Sequence, residues 1–104
     1  MKALIIVDIQ NDFLPGGALE VSNGDEIIPL INRIIPNYEL VVATQDWHPA
    51  DHKSFAAMHA GHQIFDVIEW NGYPQTLWPN HCVQGTKGAE LSKELAANSI
   101  HAIF

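Results

Sequence analysis

The apolar residues of this chain fall into two patterns, and each predicts a different element. The runs Ala3-Leu4-Ile5-Ile6-Val7 and Leu40-Val41-Val42-Ala43-Thr44 are continuous and rich in β-branched residues, which predicts strands at about residues 3–8 and 39–46. Between them Ile27, Leu30, Ile31, Ile34 and Ile35 recur at helical spacing after an Asn23-Gly24-Asp25 turn, and Pro36-Asn37 ends the pattern. Pro29 is tolerated only near the first turn of such a helix. A helix joining two apolar strands is a βαβ unit, so the strands are expected to run parallel. Pro15-Gly16-Gly17 makes the segment after the first strand a loop. From Pro49 to Gly88 no period holds, and so long an irregular stretch inside a compact domain is normally functional. A short helix is expected over about 89–97, and the apolar run Ile100–Phe104 predicts a third strand.

Composition narrows the class. A chain of 104 residues that is 47% hydrophobic and 16% charged reads as one globular domain spanning 1–104. Its net charge is -7 with only five Lys and Arg, which argues against a nucleic-acid partner and against a membrane surface. The apolar run after Met1-Lys2 is too short for a signal peptide, and no stretch approaches the length of a membrane span. A single Cys excludes an internal disulfide framework and fits a reducing cytoplasm.

The chemistry-bearing residues gather where topology would bring them together. Open parallel sheets form their sites at the carboxyl ends of the strands, and Asp8 and Asp46 follow two such ends. Asp46 and His48 are two residues apart, so on an extended chain they face one spot. With His81 delivered by the long loop, they make a three-donor metal site suited to Zn²⁺, then Fe²⁺ or Mn²⁺. Asp8 would stand beside it, free for acid–base work. Plainer readings compete. Asp8 could cap the following Gln10-Asn11-Asp12 turn, Asp-x-His is a common loop anchor, and Phe13 and Trp78 are by default packing residues. His59 and His62 read as solvated loop residues, and His101 as a strand residue facing solvent. Cys82 follows His81 directly, but neighbours on an extended segment point apart, and a lone Cys is usually a small buried hydrophobe.

Four motifs, taken together, resemble a known family. Ile6-Val7-Asp8-Ile9-Gln10-Asn11-Asp12-Phe13, Gly16-Gly17-Ala18-Leu19, Thr44-Gln45-Asp46-Trp47-His48-Pro49 and Trp78-Pro79-Asn80-His81-Cys82-Val83 resemble the nicotinamidases/pyrazinamidases of the isochorismatase-like cysteine hydrolases. The likeness runs the whole length of the chain, and the Asp-Trp-His and Trp-Pro-x-His-Cys elements are its most specific parts. The resemblance implies an α/β fold with a doubly wound parallel sheet and flanking helices. It implies metal-dependent hydrolysis of nicotinamide, and of amides like pyrazinamide, to the acid and ammonia through a cysteine thioester. Asp8 matches the triad aspartate. Asp46, His48 and His81 match metal ligands, and His52 matches a further ligand found in some members only. Phe13 and Trp78 match the aromatic walls of the pyridine site, whereas Cys82 matches a non-catalytic position. The family's catalytic lysine and nucleophilic cysteine would follow Phe104. The expectation is therefore the amino-terminal half of a nicotinamidase, ending after the third strand and inactive alone. It would form homo-oligomers or pair with a complementing carboxyl-terminal half. Two other classes stay open: a non-haem Fe(II) enzyme, which also uses two His and one carboxylate, and a non-enzymatic metal-binding or interaction module.

Overall fold

The computed structural model describes all 104 residues, Met1–Phe104. In chain order its regular elements are β1 (Ala3–Val7), α1 (Ile27–Ile34), β2 (Leu40–Thr44), β3 (Val67–Trp70), β4 (Tyr73–Thr76) and β5 (Ala102–Ile103), with short 3₁₀ turns between them. The βαβ expectation holds. β1 pairs parallel with β2, Ile5 opposite Val42 and Val7 opposite Thr44, and β5 pairs parallel with the other edge of β2. The order β1-β2-β5 puts β2 in the centre and leaves β1 and β5 as edges.

One face of the sheet carries the core. Ile6, Val41 and Ala43 pack with Ile28 and Ile35 of the helical segment and with Leu95. The buried helical line is thus Ile28 and Ile35, with Ile31 beside them, while Ile27 and Leu30 of the predicted stripe are about half exposed. Helical spacing identified the element but not which apolar line meets the sheet. Pro29 is the third residue of α1, where a missing N–H costs no intrahelical bond. On the opposite face of β1, Ile5 and Val7 are each 62% exposed. Parallel sheets are ordinarily covered on both sides, and at this exposure each such side chain forgoes about 1–2 kcal/mol of burial.

Two expectations need correction. The segment 89–97 is not a helix. It holds a 3₁₀ turn at Lys87–Ala89 and another at Ala97–Ser99, and the chain between them pairs with the stretch after β1. Ser92 N–H donates to the Ile9 carbonyl (2.9 Å), Asn11 N–H to the Glu90 carbonyl (3.0 Å), and Gln10 and Leu91 form an antiparallel bridge. Tertiary partners take the backbone groups a helix would have used. Nor is 49–88 wholly irregular. β3 and β4 form an antiparallel hairpin around Asn71-Gly72, both at positive φ (51° and 84°). Asn-Gly between two short strands is a strong hairpin signal, because both central residues of the turn must adopt left-handed backbone.

The rest of this segment is fastened by backbone bridges. Trp78 N–H donates to the Ser54 carbonyl (2.8 Å) and Ala56 N–H to the Trp78 carbonyl (2.9 Å). His48 N–H donates to the Cys82 carbonyl (2.9 Å) and Gln84 N–H to the His48 carbonyl (2.8 Å). Phe55, Leu77 and Cys82 of this segment are fully buried. His101 is exposed as expected but precedes β5, with its Nδ1 3.0 Å from the Val41 N–H of the neighbouring strand. His62 is exposed beside Asp66, and the half-buried His59 packs edge-on to Trp70.

Candidate metal centre and adjoining carboxylate

The structure brings Asp46, His48 and His81 together. One ligand atom from each lies within 4.8 Å of the others. His48 Nε2 is 3.3 Å from Asp46 Oδ1, and His81 Nε2 is 3.4 Å from Asp46 Oδ2. Asp46 and His48 follow β2 on extended chain. His81 arrives from the long segment after β4, held opposite by the parallel bridge between His48 and Val83.

Hydrogen bonds orient both imidazoles. His48 Nδ1 lies 3.2 Å from the His81 carbonyl, and His81 Nδ1 lies 2.7 Å from the Pro79 carbonyl. A carbonyl oxygen only accepts, so each Nδ1 carries the proton and donates it. In the neutral rings each Nε2 then presents a lone pair to the Asp46 carboxylate. Neutral rings would set lone pairs against carboxylate oxygens at 3.3–3.4 Å, a contact relieved by a shared metal ion or by a proton on Nε2. Backbone carbonyls on the distal ring nitrogens are also the usual support for metal-bound histidine. Two imidazoles and one carboxylate with that support fit a divalent transition metal.

His52 differs. Its ring stands 4.8 Å from that of His48, centroid to centroid, but its Nδ1 accepts the Ser54 N–H (3.2 Å) and lies 2.7 Å from the Ser54 hydroxyl. The neutral ring therefore carries its proton on Nε2. It also borders a separate cavity with Trp70 and Gln75, and its ligand atoms fall outside the cluster of three.

Asp8 follows β1 in left-handed backbone (φ 53°). Its N–H donates to the Thr44 carbonyl (3.3 Å) and hydroxyl (3.2 Å), and the Thr44 hydroxyl donates to Asp8 Oδ1 (2.6 Å). This leaves Oδ2 unengaged. The capping alternative does not hold, because the 3₁₀ turn Asn11–Phe13 has no side-chain cap. Asp8 and Phe13 border a cavity of about 320 Å³ lined otherwise by apolar residues such as Val7, Val21 and Ile27. A larger polar cleft of about 540 Å³, between Leu14–Gly17 and Lys87–Gly88, touches none of Asp8, Asp46, His48 or His81.

The aromatic residues take different places. The Phe13 ring lies 5.7 Å from that of His81, whereas Trp78 packs edge-on against Phe65 at 6.0 Å. Phe55, which carried no signal in the sequence, is fully buried against the rings of His48 (5.2 Å), His81 (5.6 Å) and His52 (5.9 Å). Cys82 is fully buried at positive φ (48°). Burial, followed by the charges of Asp46, Asp12 and Asp8, pushes its thiol up to about 12. Burial and negative charge both disfavour the thiolate, the reverse of what activates a nucleophile.

Known proteins share this arrangement of chain and sequence. The Isochorismatase domain family matches residues 2–104. A nicotinamidase of Acinetobacter baylyi is 55% identical over 93 residues, covering 89% of this chain and 44% of its own. Among solved structures, an Acinetobacter baumanii nicotinamidase/pyrazinamidase superposes with a TM-score of 0.93 at 50% identity, over 97% of this chain and 49% of that one. A pyrazinamidase of Pyrococcus horikoshii in complex with zinc superposes with a TM-score of 0.69 at 43% identity, over 97% and 49%. The chain spans about half the length of the relatives it matches. With its sequence matched from residue 2 to residue 104, the chain belongs to the Isochorismatase domain family.

Proposed function

We propose that this chain provides the metal-binding and proton-accepting side of a site that hydrolyses nicotinamide and pyrazinamide-like amides to the acid and ammonia. The observation that carries the reading is the convergence of two imidazole Nε2 atoms on the Asp46 carboxylate, at the same end of the sheet as Asp8. Asp46, His48 and His81 would hold the metal, with Zn²⁺ first because the similar Pyrococcus horikoshii pyrazinamidase forms a complex with zinc. When bound there, the ion supplies Lewis acidity to a ligand in an open coordination position.

Asp8 is the general base. The Thr44 hydroxyl fixes Oδ1, so Oδ2 is the oxygen that takes the proton of an attacking thiol and passes it to the leaving ammonia. Phe13, which borders the Asp8 cavity, supplies an apolar wall for a heteroaromatic ring; Trp78, proposed as a second wall, packs instead against Phe65 in this structure. Cys82 does not fit the nucleophile's part, being buried and held neutral. The thiol must come from outside these 104 residues, from further sequence or a second polypeptide. An inactive metal-binding module is the second reading, favoured by the same property of Cys82.

Metal analysis tests the first element. His48→Ala should lose most of the Zn²⁺ that the unaltered protein retains, and equal content in both would refute the site. Ammonia release from nicotinamide tests the second. The chain alone should stay at background, and adding the carboxyl-terminal segment of a relative should produce activity that Asp8→Ala abolishes. No activity in that mixture would favour the metal-binding module.

A further inference from the structure

We infer that Gln10 and Asp12 are positioning residues that hold the two loops carrying Asp46 and His81 at their working separation. This inference rests on the reading of Asp46, His48 and His81 as metal ligands. Gln10 is fully buried, and its amide is used at both ends. Oε1 accepts the Asp46 N–H (2.8 Å), while Nε2 donates to the Asp46 carbonyl (2.8 Å) and to the Ala89 carbonyl (2.8 Å). The side chain therefore grips both backbone groups of one candidate ligand, as a strand partner would, and ties it to the 3₁₀ turn at Lys87–Ala89. These three bonds admit only one orientation of the amide.

Asp12 does the same for the other loop. Its Oδ2 accepts the N–H of Cys82 (2.7 Å), the residue after His81, which stands in left-handed backbone. Its Oδ1 accepts the Ala18 N–H (3.2 Å). No Lys, Arg or His pairs with this carboxylate, so backbone donors supply its compensation. The site is built close around it: a Cβ at Gly88 would overlap the Asp12 carboxylate. The candidate ligands come from segments more than thirty residues apart, yet both are referenced to one short stretch, Gln10–Asp12, which also follows Asp8. Groups that orient metal ligands without touching the metal typically change affinity 10–100-fold when removed.

The test is Zn²⁺ affinity, measured by competition with a chromophoric chelator, together with the visible absorption of the Co²⁺-substituted protein, which reports ligand geometry. Gln10→Ala and Asp12→Ala should each weaken Zn²⁺ binding about 10–100-fold and shift the Co²⁺ bands. Asp12→Asn keeps an oxygen for the Cys82 N–H and should recover most of the affinity. Asn32→Ala is the structural control. Asn32 bridges the Glu94 carbonyl and Ala96 N–H (both 2.8 Å), away from the site, so its loss should lower stability without moving the Co²⁺ spectrum. Circular dichroism screens each variant for folding. Should Gln10→Ala not fold, Gln10→Glu replaces it, since it keeps the accepting oxygen and loses both donated bonds. Variants that fold, bind Zn²⁺ within twofold of the unaltered protein and leave the Co²⁺ bands in place would overturn the inference. If the unaltered protein itself bound no Zn²⁺, the metal reading and the inference would fall together.

Discussion

Phe55 offers the sharpest test of how the candidate site is supported. Its side chain is fully buried, and its ring meets three imidazoles edge to face, His48 at 5.2 Å, His81 at 5.6 Å and His52 at 5.9 Å. Phe55→Ala removes the ring from a place with no solvent access. The lost transfer energy and the remaining cavity together should cost about 3–5 kcal/mol. That is a large share of the roughly 5–15 kcal/mol that holds a small domain folded. The edge-to-face contacts contribute about 0.5–1.5 kcal/mol each within that sum, and two of them involve rings that face Asp46. Phe55→Leu refills much of the space and should cost about 1.5 kcal/mol. The assay is urea unfolding followed by circular dichroism, with and without Zn²⁺. In thermal unfolding the alanine variant should melt more than about 12 °C lower. Zn²⁺ should stabilise it less than the unaltered protein, because loosened imidazoles bind the ion less tightly. A loss below about 1 kcal/mol with an unchanged urea dependence would show that the ring does not pack as described.

Cys82 should resist thiol reagents at pH 8 in the folded protein and react at once in denaturant; rapid modification of the native state would contradict its burial. The sign of its pH effect follows from the same environment. Its ordinary value of 9.0 is raised to about 12 in the fold, so the native state binds the proton more tightly than the unfolded chain. Its contribution to stability is therefore complete below pH 9 and lost as the pH rises from 9 towards 12, a decline that urea titrations of Cys82→Ala should not reproduce. The exposed side chains of Ile5 and Val7, with the β1 and β5 edges, should drive self-association, for which light scattering at micromolar concentration is the check. A monodisperse monomer would refute it, and Ile5→Lys should shift any oligomer towards monomer.

Much of this arrangement was legible because it depends on neighbours in sequence. Apolar runs ending at Asp8 and just before Asp46, with a helical stripe between, are local patterns, and the topology of parallel strands carries their ends to one side. The two-residue spacing of Asp46 and His48 likewise reports a shared direction on extended chain. The β3–β4 hairpin was missed, although Asn71-Gly72 is a local turn signal, because it sits inside a segment with no longer period. The same local reasoning failed at 89–97, where an apolar pair four residues apart, Leu91 and Leu95, imitates a helix while the backbone bonds to Ile9 and Asn11.

What tertiary structure alone decided is the state and support of the side chains. Nothing near His48 in sequence says which of its ring nitrogens turns to Asp46. The His81 carbonyl, 33 positions away and 3.2 Å from Nδ1, makes that choice. Gln10 and Asp12 read as polar loop residues until their partners, 36 and 70 positions away, are folded against them. Phe55 reads as an ordinary apolar residue until three imidazoles surround it. Hydrophobic spacing determines which elements form, because burial is non-directional and repeats with the local geometry of the chain. Hydrogen bonds and ring contacts are directional and short in range, so only the assembled fold assigns their partners.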